Sequence, residues 1–372
     1  MNKYVGFLLA AIFSVAIISS GSNAQRPFTG VYKKQAYFKN EKIEAIDIHF
    51  HAADSFDQMG DVAQEFIRSK LPGFLPDFLK NISLKAVTGM IYNPYGLYGI
   101  KKQCVNSGLS HCGLFATYAP NSWGIISNEY VLSKLTSPKN PKGKTGGKLF
   151  FGLASIDVLD WQKNEKENLK KLDEALNQDL FKGIKLAFIH NEVALDIEAY
   201  DSIYELARKR KVPVYHHVGS SPLRTLDDFK TEEEKNNYLR SYDPTLLTRA
   251  VKKFSDVKFV FGHMGFDFND EGFDFSDDVF SLAKQNKNIL LEISAFGREM
   301  FDPESKFMDH VLRKIKVEGL IDRTVFGSDG PLYPGATKAY LETTLESMER
   351  VGYTYEEAEK ILYSNTKKYF NL

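Results

Sequence analysis

From Ile43 to the C-terminus, short apolar runs alternate with amphipathic stretches, and no polar linker divides the chain. Eight runs read as strands: 43–49, 112–118, 149–156, 183–189, 212–217, 257–262, 288–294 and 323–328. Helical candidates lie between most of them, at 165–179, 197–210, 244–254 and 303–317. The last opens on Pro303, suited to a first helical turn, and repeats Phe307, Val311 and Ile315 at four-residue intervals along one side. Strands that are apolar on both faces and separated by helices predict a parallel sheet covered by helices. Eight such units predict an α/β fold closed as a (β/α)8 TIM barrel, with an open doubly wound sheet as the alternative.

One domain, 43–372, accounts for most of the chain, preceded by an arm at 25–42. Within it, 52–99 is a long insertion after strand one. It is rich in aromatic residues (Phe56, Phe66, Phe74, Phe78, Tyr92, Tyr95, Tyr98) and broken by Pro72, Pro76 and Pro94. Such a segment is expected to cover the barrel mouth or to form a homo-oligomer contact. Ahead of the arm, Lys3, the apolar stretch 6–18 and Ser22-Asn-Ala24 have the layout of a signal peptide ending at residue 24. The expectation is an exported protein, periplasmic or secreted, with no stable membrane insertion after processing.

Charge narrows the partners. The 48 basic and 48 acidic side chains of the 372 residues cancel, so no electrostatic footprint for nucleic acid or an anionic membrane is expected. A small-molecule substrate fits better. The two cysteines, Cys104 and Cys112, allow a disulfide in an exported protein, while a buried free thiol at Cys112 is the other reading.

Candidate chemistry sits at the strand ends. Asp47-Ile-His49-Phe-His51 ends strand one, and strand alternation places Asp47, His49 and His51 on one face. Two imidazoles so spaced are suited to a shared metal ion. His216-His217-Val-Gly219 ends strand five, Gly262-His263-Met-Gly265 ends strand six, and Gly-Ser-Asp329-Gly-Pro331 ends strand eight. In a barrel all of these face one mouth, where active sites of this fold are built.

In that order the motifs resemble the amidohydrolase superfamily. The closer similarity is to its amidohydrolase-related branch, which also contains decarboxylases such as aminocarboxymuconate-semialdehyde decarboxylase. The resemblance runs from about Ile43 to the C-terminal segment around Asn365. It implies that His49, His51, His217 and Asp329 hold a divalent metal, Zn²⁺ first and Mn²⁺ second. His217 rather than His216 fits, because it stands two residues before Gly219. It also implies that His263 stands beside the reacting water or substrate, with Asp329 moving a proton. In binuclear relatives a lysine near Lys185 is carboxylated and bridges two metals; the alternative for Lys185 is binding a substrate anion.

Bound Zn²⁺ lowers the pKa of water from about 15.7 to about 7, which makes hydroxide easier to form by roughly 12 kcal/mol. The leading expectation is therefore an exported hydrolase of an ester, lactone or amide, using a metal-activated water. Non-oxidative decarboxylation on the same residues is the alternative, and a catalytically inactive metal-binding barrel comes third. Arg224 and Arg298, in segments after strands five and seven, are candidates for pairing with a substrate anion.

Overall fold

A computed structural model of the chain describes residues 28–53, 59–69, 76, 80, 85, 97–120, 122–272, 274–331 and 334–372. Residues 1–24, expected from the sequence to be a signal peptide, and most of the 52–99 insertion lie outside them.

The arm is itself folded. Residues Gly30–Tyr32 (β1), Gln35–Phe38 (β2) and Glu41–Ile43 (β3) form an antiparallel meander. Both of its connections are two-residue turns with positive φ at Lys33, Lys34, Lys39 and Asn40, the turn geometry whose twist matches that of paired strands. Phe38 and Ile43 are buried in the main core. Val31 N donates to Glu342 Oε1 (3.2 Å) and Lys39 Nζ to Tyr353 O (2.7 Å), so the meander is held on helix Ala336–Val351 and the chain just beyond it.

The eight expected strands form one parallel sheet: Ile46–His51 (β4), His111–Phe115 (β5), Phe150–Ser155 (β8), Phe181–Leu186 (β9), Val214–His217 (β10), Phe259–Gly262 (β11), Ile289–Ile293 (β12) and Thr324–Phe326 (β13). A short hairpin, Thr117–Ala119 (β6) with Gly124–Ile126 (β7), stands apart. Between β4 and β13 the sheet closes through a parallel bridge from Phe50 to Gly330, in which His51 N donates to Gly330 O (2.6 Å). The Asp47 carboxylate reinforces the closure by accepting from Ser328 N (2.9 Å) as well as from His49 N (2.9 Å). The fold is therefore the (β/α)8 barrel.

Its interior is filled by Ile46, Ile48, Phe115, Phe151, Leu153, Tyr215, Val260, Leu290 and Val325. Phe370, from the last helix, joins this cluster against Phe151 (6.4 Å between rings) and plugs the end where the strands begin. Helix Lys306–Val317 buries Val311 and Ile315, as its spacing predicts, with a 3-10 turn from Pro303 ahead of it. Cys104 and Cys112 form a disulfide, so the free-thiol reading of Cys112 does not hold.

One expectation fails at the residue level. Asp47, His49 and His51 do not share a face. The register on β5 runs from Asp47–Cys112 to Phe50–Leu114, so three steps on β4 span two on its neighbour. That bulge breaks the alternation. Ile48 packs inside the barrel with Phe115 and Tyr215, and so does the next residue, His49. Asp47 is left to staple the seam.

Candidate metal centre

The bulge sends His49 and His51 to the mouth side by side, their rings 5.1 Å apart. Asp329 reaches them from across the closure. Its Oδ1 lies 3.1 Å from His49 Nε2 and 2.9 Å from His51 Nε2. Asp329 carries a left-handed φ of 53°, which Asp tolerates better than most residues. Arg298 holds that conformation by donating from Nη2 to the carbonyls of Ser328 and Asp329, the latter at 3.0 Å. His263 (φ 61°) and Ala295 (φ 65°) are also left-handed just past β11 and β12, so backbone strain gathers around the mouth.

Glu292 organises the site, and it was not among the residues singled out from the sequence. It lies fully buried on β12. Its Oε1 is 3.1 Å from His49 Nδ1, and its Oε2 accepts from Tyr215 OH (3.3 Å), from His263 N (3.2 Å) and from Ser294 Oγ. Burial works to raise its pKa, but His49 and these hydrogen bonds bring it below the ordinary glutamate value. The signal was present in Leu290-Leu-Glu292-Ile-Ser294: a carboxylate in the middle of a strand apolar on both faces needs a reason to be there.

This network sets the tautomers. His49 gives its Nδ1 proton to Glu292, which leaves Nε2 as the lone-pair nitrogen facing Asp329. Ser294 gives its hydroxyl proton to Glu292, so it accepts from His263 Nδ1 (2.9 Å), and His263 Nε2 is the bare nitrogen. His217 donates from Nε2 to Ser220 O (3.0 Å), leaving Nδ1 free.

Two motif glycines are dictated by the same packing. A Cβ on Gly327 would stand 1.9 Å from Glu292 Oε1, and one on Gly262 would stand 1.8 Å from Tyr215 OH.

Among the described residues, two groups of donor atoms converge within 4.8 Å: His49, His51 and Asp329, and His49, His263 and Glu292. The first fits a divalent ion. Ligands at about 2.0–2.2 Å from one ion stand roughly 3 Å apart, close to the 2.9 and 3.1 Å separations here. A lone-pair nitrogen and an ionised carboxylate so close repel unless a cation lies between them, either a metal ion or, in its absence, a proton on the imidazole. Burial lowers the His49 pKa on its own, yet Asp329 and Glu292 raise it above its usual value. Asp329 is likewise opposed by burial, but His49 and the bonds from both imidazoles hold it well below the carboxylate range.

His217 belongs to neither group. Its ring lies 4.2 Å from that of His263 and 5.3 Å from that of His190. Burial, then His263, His190 and Lys185, hold its pKa well below the ordinary histidine value. Burial likewise lowers His263 to about 4 and His190 to about 3. His190, in the short helix after β9, was missed because no motif marks it. His216 points away, stacked between Phe188 and Phe259 with Tyr204 OH 3.3 Å from its Nε2.

Lys185 is buried with its Nζ over the rings of Tyr215 (4.2 Å) and Phe115 (5.2 Å), and burial lowers its pKa to about 7. Both arginines proposed for a substrate anion already face a carboxylate of the protein. Arg298 is bound to the Asp329 loop, with Nη1 3.7 Å from Asp329 Oδ2. Arg224 is paired with Glu192 at 3.3 Å. Of the insertion, Met59 bridges Gly124, and Gly60 N donates to Trp123 O (2.8 Å). Its described start thus pins the hairpin whose Trp123 ring lies 5.2 Å from His51.

A family described as amidohydrolase matches residues 155–372. No curated protein matches the chain. Among solved structures, the chain is similar to an uncharacterized TIM-barrel protein from Bordetella bronchiseptica, with 17% identity and a TM-score of 0.58 over 88% of this chain and 99% of that one. A probable 2-pyrone-4,6-dicarboxylic acid hydrolase from Acinetobacter baumannii, solved with citric acid bound, gives 14%, 0.55, 89% and 100%. A 5-carboxyvanillate decarboxylase from Novosphingobium aromaticivorans, complexed with manganese and 4-hydroxy-3-methoxy-5-nitrobenzoic acid, gives 16%, 0.53, 94% and 100%. These likenesses concern the fold.

Proposed function

We propose a hydrolytic reaction for this chain, which belongs to the amidohydrolase family: metal-dependent opening of an ester, lactone or amide in a small molecule. A divalent ion held by His49, His51 and Asp329, with His217 completing the set, would supply Lewis acidity and bring the pKa of water to about 7. Zn²⁺ suits the imidazole and carboxylate donors, and Mn²⁺ is the alternative.

The observation that carries the reading is the pair of contacts from which the His263 tautomer is assigned: Ser294 Oγ on Glu292 Oε2 and 2.9 Å from His263 Nδ1. With Nδ1–H committed to Ser294, Nε2 offers a lone pair to the mouth. Hydrolysis starts by taking a proton from water, which a bare nitrogen does. Decarboxylation ends by delivering a proton to carbon, which a bare nitrogen does not. Glu292 keeps His49 oriented, Arg298 keeps Asp329 in place, and Phe115 and Tyr215 wall the site against bulk water.

Non-oxidative decarboxylation is the second reading. It is favoured by Lys185, whose pKa near 7 would make it a proton donor at neutrality. Turnover of Zn- and Mn-loaded protein in H₂¹⁸O separates the two: label in the product acid supports hydrolysis. Release of CO₂ with solvent hydrogen on carbon overturns it.

Export belongs to the same proposal. The Cys104–Cys112 disulfide supports it, because such bonds persist in oxidising compartments.

A further inference from the structure

The floor of the barrel, at the end opposite the metal centre, gathers lysines from separate parts of the chain. Lys34 lies in the first turn of the meander, and Lys144 and Lys148 in the exposed segment leading into β8. Lys367 and Lys368 stand in the helix Asn365–Phe370 that plugs the floor, and Lys258 directly precedes β11. Contacts tie them together. Lys144 Nζ donates to Lys34 O (2.8 Å) and Gly108 O (2.6 Å). At the start of β5, His111 Nδ1 donates to Lys148 O (2.8 Å), and Lys367 acts on the same ring through space. The Lys258 pKa is lowered by burial and then by the charges of Lys368 and Arg323. The result is a belt of cations across the floor.

These charges are not neutralised. Among the described residues, none of these lysines makes an ion pair, whereas Lys360 nearby pairs with Asp322. Carbonyl oxygens hold Lys144 and Lys148 instead, and those of Ala283 (2.8 Å) and Asn286 (2.9 Å) hold Arg323 Nη1. A carbonyl dipole fixes a cation in place but leaves its net charge intact. Glu44 acts on Lys144 only through space. It lies to one side with Glu41, Glu356 and Glu359 around Tyr355, whose pKa is raised by burial and then by these carboxylates. Helix dipoles favour cations at helix C-termini, but of these lysines only Lys367 and Lys368 occupy a last helical turn.

We propose that the floor of the barrel is a docking surface for a bilayer carrying anionic phospholipid, with the metal centre facing away from the membrane. The balanced charge of the whole chain hides this face, because attraction within a Debye length depends on local charge. Tyrosines are interleaved with the lysines. Lys33 Nζ lies 5.1 Å over the Tyr32 ring, Lys367 Nζ 5.3 Å over Tyr363, and Lys368 Nζ 5.0 Å over Tyr369. Tyrosine and lysine together suit the headgroup layer, where an apolar body and a polar tip are both satisfied. Single-stranded nucleic acid instead needs open rings on which bases stack, and these rings carry the protein's own ammonium groups. Tyr32 (55% exposed) and Phe28 (46%) add apolar area at the edge. No residue of the mouth takes part, so the inference does not depend on the hydrolytic reading.

Cosedimentation with vesicles tests it. The whole chain and the chain begun at Gln25 are mixed with phosphatidylcholine vesicles, with or without an equal share of phosphatidylglycerol. The described fold starts at Phe28, so the shorter form retains all of it. That form is expected to bind only the anionic vesicles and to leave them at high salt. Each lysine near such a surface strengthens binding about fivefold. Lys34→Glu, Lys148→Glu and Lys368→Glu combined should therefore weaken it by about a hundredfold or more, with metal content unchanged. Lys163 and Lys166, early in helix Trp161–Leu176, and Lys230, after β10, are exposed toward the mouth end. Changing those three to Glu alters the net charge equally and should weaken binding less than about fivefold. Binding to neutral vesicles, binding that needs residues 1–24, or an equal loss in the two triple variants overturns the proposal. So does single-stranded DNA that binds more tightly, per phosphate, than the anionic vesicles.

Discussion

Glu292 Oε1 stands 3.1 Å from His49 Nδ1, and through that contact a residue on strand seven decides which nitrogen strand one offers to a metal. The same carboxylate receives Ser294 and so also sets His263. Glu292→Gln should therefore reduce metal affinity by about 10–100-fold without removing a ligand. Metal content after dialysis against a graded chelator series reads this directly. Unchanged retention would show that His49 orients itself.

His263 should matter for rate more than for retention. His263→Ala is expected to keep the metal and to lose a factor on the order of 10²–10⁴ in kcat, the usual contribution of a positioned acid or base. The second donor group, His49 with His263 and Glu292, makes the opposite outcome meaningful. A parent that holds two metal equivalents per chain and a variant that keeps only one would establish a two-metal centre.

The eight strands were legible in the sequence because each is a short apolar run, and a barrel strand is buried on both sides. The His49, His51 and Asp329 cluster was legible because residues at strand ends converge in this fold. Other features, besides His190, were not. Alternation read along 46–51 has no term for the bulge, which depends on how β5 pairs with β4. Glu292 was passed over because it lies inside its strand, away from the end where motifs were sought. The arginines were candidates for a substrate anion, and their protein partners, Glu192 for one and the Asp329 loop for the other, were not legible because they come from other segments.

The disulfide should contribute stability out of proportion to its size. Cys104 and Cys112 are separated by eight positions, and closing so short a loop restricts the unfolded chain by about 2–3 kcal/mol. Cys104→Ser paired with Cys112→Ser should lower stability by that order in urea titrations. If the protein is exported, N-terminal sequencing of the mature form should begin at or near Gln25. A retained Met1 would contradict export.

Asp201 begins helix Asp201–Arg210 and receives Arg249 at 2.7 and 2.9 Å and Lys253 at 2.7 Å. Arg249 is the largest cause holding its pKa below the ordinary value of 3.8. A depressed carboxylate stabilises the fold above its unfolded pKa and loses that contribution as pH falls through its folded pKa. Asp201→Asn should then cost about 1 kcal/mol at pH 7, and the gap to the parent should narrow as pH drops below about 4. A gap that is constant with pH would assign the effect to packing.

Gly327→Ala tests how tightly the site is built. Its added methyl would fall 1.9 Å from Glu292 Oε1 and 2.7 Å from His49 Cβ, so one of the two must move. Overpacking of this kind typically costs about 1–3 kcal/mol. Here the displaced atoms are the orienting carboxylate and the proposed ligand, so metal affinity should fall together with stability. Gly146→Ala is the control: its backbone is left-handed (φ 97°), as that of Gly327 is not, but nothing lies within 4 Å of the new methyl. It should show a small stability loss and no change in metal binding. Equal metal affinity in both variants would mean that Glu292 yields without disturbing His49, and the coupling between strands one and seven would have to be abandoned.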